Sequence, residues 1–218
     1  MGDKGQRLVR TLLVAAVVLF LTACQSSAPG SLKQASYPGL GALFDRVGDY
    51  QVAQQAAAEQ FQSVKEQLSP LATAGGNTQG DSAADLSEYD QTVEAAVAVS
   101  ATIAAVKQAA TATFQQWQTE IDVYTDAQLK ADNQAKMGAT WQSYQGMMQG
   151  VRASETKMNA VLAELNNYVT FLRGSPDASA LASYRPNRNV IGSDIDALLL
   201  KMKSALGRSN EFIEDVQK

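Results

Sequence analysis

The chain has 218 residues, with 18 basic and 22 acidic side chains, a formal charge of -4, no histidine and one cysteine. Without histidine, the commonest general base and the commonest zinc or iron ligand are missing. A single cysteine closes no disulfide and builds no cysteine metal site, and a mildly acidic, evenly spread charge lacks the basic face that nucleic acid requires.

Residues 1–23 read as a targeting segment. Lys4, Arg7 and Arg10 make a basic start, and residues 12–21 form an apolar run too short and too early for an ordinary spanning helix. Leu21-Thr22-Ala23-Cys24 then sets small residues before the cysteine. This arrangement resembles bacterial lipoprotein signals. The resemblance implies diacylation of Cys24, cleavage before it, and acylation of the new amino terminus, and two or more acyl chains of the palmitate kind anchor a protein stably. Gln25, where an aspartate would favour the inner membrane, resembles the outer-membrane class of a Gram-negative host. Once Asp3, Lys4, Arg7 and Arg10 are gone, 15 basic and 21 acidic side chains remain, a formal charge of -6. Residues 24–38, rich in Ser, Ala, Gly, Gln and Pro, read as a flexible tether.

Residues 39–218 are expected to form one domain. A first helix over residues 40–71 carries the stripe Leu40, Leu43, Val47, Tyr50, Gln54, Ala57, Phe61, Val64, Leu68 and Leu71, with Gln54 as a polar interruption that could fix register. Residues 73–80 hold three glycines and read as a loop. A second helix is expected just after it, with Ser82 and Asp85 as a weak capping box. Its seam is Leu86, Tyr89, Val93, Ala96, Ser100, Ile103, Lys107, Ala110, Phe114, Trp117, Ile121 and Tyr124. The alanine density of residues 95–112 predicts the closest helix approach at mid-bundle.

At the crossover, either Thr125 caps a third helix directly or the chain turns near Asp132-Asn133; the earlier turn is favoured over both the later one and a single very long helix. The third seam reads Met137, Trp141, Tyr144, Met148, Val151, Glu155, Met158, Leu162, Leu165, Val169 and Leu172, alternating 4 and 3 for five heptads. Arg173 and Gly174 should end this helix. Ser175-Pro176-Asp177 then starts a short one over residues 176–183, with serine as cap. Tyr184 to Asn189 reads as a break, with two arginines around Pro186. The final helix is expected from Gly192-Ser193, with Ile191, Ile195, Leu198, Leu199, Met202, Ala205, Leu206, Phe212, Ile213 and Val216 on a wide apolar face. The sum is an all-α, elongated, antiparallel up-and-down helical bundle with coiled-coil-like seams.

No reaction chemistry rises above this scaffold. Asp45 with Asp49, and Asp122 with Asp126, stand one turn apart on solvated helices. Glu155 and Lys107 fall on seam positions but at different levels. Trp117, Tyr124, Trp141 and Tyr144 gather near the crossover, as core packing or as an interaction surface. Gly138, Gly146 and Gly150 interrupt the third helix and suggest close approach of a neighbour. Arg173, Arg185 and Arg188 could receive an anionic or carboxylated ligand.

L-F-D-R-V-G-D-Y at 43–50, E-Q-F at 59–61, Y-T-D-A-Q-L at 124–129, S-E-T-K-M-N-A-V-L at 154–162, V-T-F-L at 169–172 and D-I-D-A-L-L at 194–199 resemble a family of uncharacterised bacterial lipoproteins. It is a domain-of-unknown-function family found mainly in Gammaproteobacteria. The resemblance implies a Gram-negative envelope and an all-helical fold, and carries no reaction, cofactor or site. The expected function is a non-enzymatic envelope lipoprotein, tethered at Cys24 to the outer membrane and facing the periplasm. It would need no cofactor or metal, and would act as a spacer or bind a protein partner or itself. The alternative is a periplasmic module holding a small apolar or amphiphilic ligand between helices, lined by Tyr50, Met148 and the aromatic end.

Overall fold

The computed structural model describes residues 37, 39–68, 78–174 and 176–217, and all that follows concerns the unit these residues form. Five helices succeed one another: α1 Leu40–Leu68, α2 Thr78–Asp122, α3 Ala127–Arg173, the one-and-a-half-turn α4 Ala178–Ser183, and α5 Arg185–Gln217. No strand occurs among the described residues. The four long helices form a closed ring in which α1 packs on α2 and α5, and α3 packs on the same two. Neighbours run antiparallel. Tyr37, just before α1, donates its hydroxyl to Glu120 near the end of α2 at 2.8 Å, while Ser63 at the far end of α1 reaches Glu88 near the start of α2. The fold is an all-α, up-and-down helical bundle.

The stripe of α1 is buried as its 3-4 spacing requires: all nine positions from Leu40 to Leu68 are core, while Leu71 lies outside the described residues. Gln54 is 1% exposed and donates to Ser154 Oγ at 2.7 Å, across the diagonal of the ring from α1 to α3. The seams of α2 and α3 keep the expected period but differ by one residue at alternate positions. On α2 the buried series is Thr92, Ala96, Val99, Ile103, Val106, Ala110, Thr113, Trp117 and Ile121, so Val93, Ser100, Lys107 and Phe114 stand beside the seam. On α3, Thr140, Ser154 and Val161 are buried where Trp141, Glu155 and Leu162 were expected. The shift takes both charges out of the core: Lys107 is exposed and Glu155 half-buried, which avoids the desolvation of a buried ion.

The helix ends also differ from expectation. α2 begins at Thr78, inside the segment read as a loop. The earlier crossover turn is the one formed, but Asp126, not Thr125, is the cap, accepting from the backbone N–H of Gln128 and Leu129 at 2.8 and 2.9 Å. Gly174 closes α3 at φ -71°, through a tight bond from its N–H to Phe171 O at 3.1 Å, without entering the left-handed region. Asp177 caps α4 by accepting from Ala180 N–H at 2.8 Å. α5 starts at Arg185 instead of Gly192-Ser193, because Pro186 falls in the first turn, where no backbone N–H needs an intrahelical partner. Asp196, inside this helix, pairs with Lys65 of α1.

Helix lengths set where the ring is open. At 1.5 Å per residue, α2 and α3 run roughly 70 Å, and α1 and α5 roughly 45–50 Å. Gly39 O lies level with Thr113 Oγ1, 3.4 Å away, and the first buried residue of α3 is Thr140. The first 13 residues of α3, 127–139, therefore overhang the end of α5, with Lys130, Asn133 and Met137 half-buried and the rest exposed.

Candidate functional site

The aromatic residues singled out in the sequence do converge at the crossover end, in a circuit that crosses every long helix. Tyr37 stacks on Trp117 at 4.6 Å and 4°, Phe114 meets Trp141 edge-on at 4.9 Å, Trp141 lies 5.4 Å from Tyr144, Tyr144 meets Phe212 at 6.2 Å, and Phe212 meets Phe44 at 5.9 Å. Burial divides the four candidates. Trp117 and Tyr144 are 1% and 5% exposed and belong to the core, which corrects their place in an interaction surface. Tyr124 is half-buried in the turn. Trp141 is 43% exposed. The seam shift puts Thr140 inside and turns the indole outward, over a groove of about 660 Å³ between α2 and α3 lined by Phe114, Gln115, Gln118, Thr119, Met137 and Trp141. Val123 and Leu129, both exposed, sit at the same end. Cys24 lies outside the described residues.

Above the groove, the outer side of α2 carries little charge. Between Glu94 and Glu120 the only ionisable side chain is Lys107. The helix is apolar enough over Ser87–Asp122 to pass a membrane-span test by length and composition, yet only 28% of its most apolar window is buried. Val97, at 63% exposed, stands on this outward side.

Electrostatics at this end are set by burial. Tyr37 is pushed up to about 12 by desolvation and by its bond to Glu120. Three members of the two carboxylate pairs have structural partners: Asp49 binds Arg46 at 2.8 Å, Asp126 caps α3, and Asp122 faces Lys130. Among the described residues no group of three acidic, histidine or cysteine side chains is placed to hold a metal ion.

The α3–α5 boundary is where glycine was expected to admit a neighbour. Arg208 of α5 lies across α3 and donates to Gly146 O at 3.1 Å, and a Cβ on Gly150 would meet its Cδ at 2.6 Å. Gly138 and Gly146 face open space. Gly138→Ala and Gly146→Ala are each expected to raise stability by about 0.5–1 kcal/mol through helix propensity, whereas Gly150→Ala should gain nothing once Arg208 is displaced; urea titrations followed by circular dichroism will read all three.

Farther along the same boundary, Lys157 pairs with Asp194, and Glu164 shares a hydrogen bond with Asp194. Burial, then the Asp194 charge, raises the Glu164 carboxyl; the Lys157 bond lowers Asp194. The signs oppose. Asp194 contributes stability that is present above its ordinary value and lost as pH falls through its lowered one, while the contribution from Glu164 is lost as pH rises through its raised one. Glu164→Gln should therefore shift the urea midpoint upward at about pH 7 and leave it unchanged at about pH 3, below the ordinary glutamate range.

Arg188 is buried while Arg173 and Arg185 are exposed, so the three do not make one exposed basic face. Tyr50 and Met148, expected to line a ligand space, are 1% and 0% exposed and fill the core themselves.

Fold and surface together define an all-α bundle protein with an apolar groove at one end. The chain belongs to the family of proteins of unknown function DUF2959, whose pattern it matches over residues 34–216. Comparison with curated proteins returns no match.

Proposed function

We propose that this protein is a non-catalytic, lipid-anchored envelope protein that presents its α2–α3 end to a protein partner. The observation that carries the reading is Trp141: an exposed indole beside an apolar groove, at the end of a helix face nearly free of charge. Protein interfaces concentrate their binding energy in such aromatic anchors and are depleted of charge at their centres. The lipobox-like start supports acylation of Cys24 by membrane enzymes, an outer-membrane location facing the periplasm, and the lipoprotein character of the chain.

The start of α1 lies at the same end as the groove. Cys24 precedes Tyr37 by 13 residues, a span of at most about 45 Å. With Cys24 in the bilayer, the groove faces a partner that sits close to the membrane surface.

The test is photo-crosslinking in cells from Gln115 and Gln142, with Glu66 at the opposite end as the control. An adduct with one envelope protein, formed from both groove positions, absent from Glu66 and lost in Trp141→Ala, supports the reading. Adducts only between copies of the chain make the groove a self-association surface. No adduct of either kind overturns the partner role. Intact mass of the purified chain reads the anchor independently: mass of acyl groups on an amino terminus at Cys24 is expected, and its absence overturns the lipoprotein assignment.

A further inference from the structure

A second concavity lies at the other end of the bundle. It is about 270 Å³, sits between α3 and α5 beside the turn after α4, and is lined by Glu164, Asn167, Tyr184, Asn187, Val190 and Ile191. From Leu40 to Leu68 the bundle runs 29 residues, roughly 40 Å, so this site and the Trp141 groove can be occupied at once. At below the roughly 300–1,000 Å³ of drug-sized pockets, it has room for a single compact polar ring.

The wall is assembled from three kinds of group. Tyr184 supplies an aromatic ring held in place by a stack on Phe171 at 4.4 Å and on Tyr168 at 5.7 Å. Asn167 and Asn187, both exposed, supply two primary amides, each able to donate and accept. Glu164 adds a carboxyl to the wall, with its Oε2 closed off from the cavity. Buried Ile191 and exposed Val190 add an apolar side. Stacked aromatic, paired amides and a small apolar shelf are complementary to a ring that carries C–H faces, hydroxyl groups and an acetamido group. An ammonium ligand would use the carboxyl but would leave both amides and the shelf without a role. A phosphate or carboxylate would meet Glu164 and its neighbour Asp194 with like charge.

We propose that this cavity binds a sugar residue bearing hydroxyl and acetamido groups, at the end of a glycan strand or along it. The inference rests on the reading of the protein as an envelope binding module and adds a second, chemically distinct ligand at the end away from the α1 start.

The experiment titrates the purified full-length chain, in detergent, with the tetramer of N-acetylglucosamine, followed by calorimetry and by amide chemical shifts. Saturable binding with a Kd below about 10 mM, weakened about 2–10-fold in Asn187→Ala by loss of one hydrogen bond and unchanged in Trp141→Ala, is the expected result. Asn187 is exposed, so its variant tests the site without endangering the fold; Asn167→Ala gives an independent second reading. No saturation up to about 10 mM, or binding indifferent to both asparagine variants, overturns the proposal. Binding of 1,5-diaminopentane in place of the sugar, lost in Glu164→Gln, also overturns it and makes the cavity a cation site. Because the titration is blind to acyl groups and to the crosslinked partner, its failure is separate from failure of the envelope reading.

Discussion

Trp117→Ala is expected to lower stability by about 3–5 kcal/mol, the range for removing a fully buried tryptophan or phenylalanine. For a chain of this size that corresponds to a fall in Tm of about 6–20 °C. The cause is local and named. Trp117 is 1% exposed, is stacked face to face on Tyr37 and lies 6.3 Å from Phe114, so its loss opens the aromatic circuit and frees the segment that enters α1. Its indole N–H has no acceptor in the fold. Trp117→Phe keeps much of the stack, removes the unpartnered donor, and should cost about 1 kcal/mol or less. Trp141→Ala gives the contrast: it loses one edge contact worth about 0.5–1.5 kcal/mol while removing the anchor of the groove. Thermal unfolding of the three variants beside the crosslinking result distinguishes the packing tryptophan from the binding one.

The second large effect concerns the bond across the diagonal. Ser154→Ala is expected to cost about 1–3 kcal/mol, because the Gln54 amide is left buried with neither oxygen nor nitrogen paired. Its Oε1 already lacks a donor, as does the neighbouring Tyr50 hydroxyl an acceptor. Adding Gln54→Leu to Ser154→Ala replaces both polar partners by apolar ones and should restore stability to the parental level or above. Urea titrations of the parent, both single variants and the double variant give the coupling directly. If the double variant is as stable as the parent yet shows broadened amide resonances in α1 and α3, the pair acts on register more than on stability. Restoration with sharp resonances would leave it no such role.

How far the chain discloses this arrangement depends on what its spacing can and cannot distinguish. On α1 the nine stripe positions from Leu40 to Leu68 were legible, since mostly large apolar residues stand between polar ones and admit one register. On α2 and α3 the anchors at Ala96, Ile103, Ala110 and Trp117, and at Tyr144, Val151, Met158 and Leu165, were legible too. Several positions between them were not, because a 3-4 period admits either of two adjacent residues there: Val99 against Ser100, Val106 against Lys107, Thr140 against Trp141. Spacing alone favours neither, and the choice falls to the neighbouring helices. Trp141 was read as seam because large apolar side chains are usually buried; it is exposed because Thr140 takes the inward position and turns the indole over the outer groove between α2 and α3. The start of α5 was misread for a related reason. Pro186 looks like a break in sequence, and only the first-turn position makes it harmless. The cavity at Tyr184 was invisible, as it is made by residues from two helices and a turn whose juxtaposition no local pattern records. The sequence pointed instead to three arginines, of which the fold buries Arg188.

The closed antiparallel ring also decides how the protein answers a pulling force. A load between the start of α1 and the α4 turn runs along the helix axes, so α1 is held in shear between α2 and α5 and its nine core positions must slip together. A load between Leu40 and Gln217, which lie at one end, instead pries α1 and α5 apart and separates their contacts one turn at a time. The same bundle is therefore stiff when stretched lengthwise and weak when opened at its end.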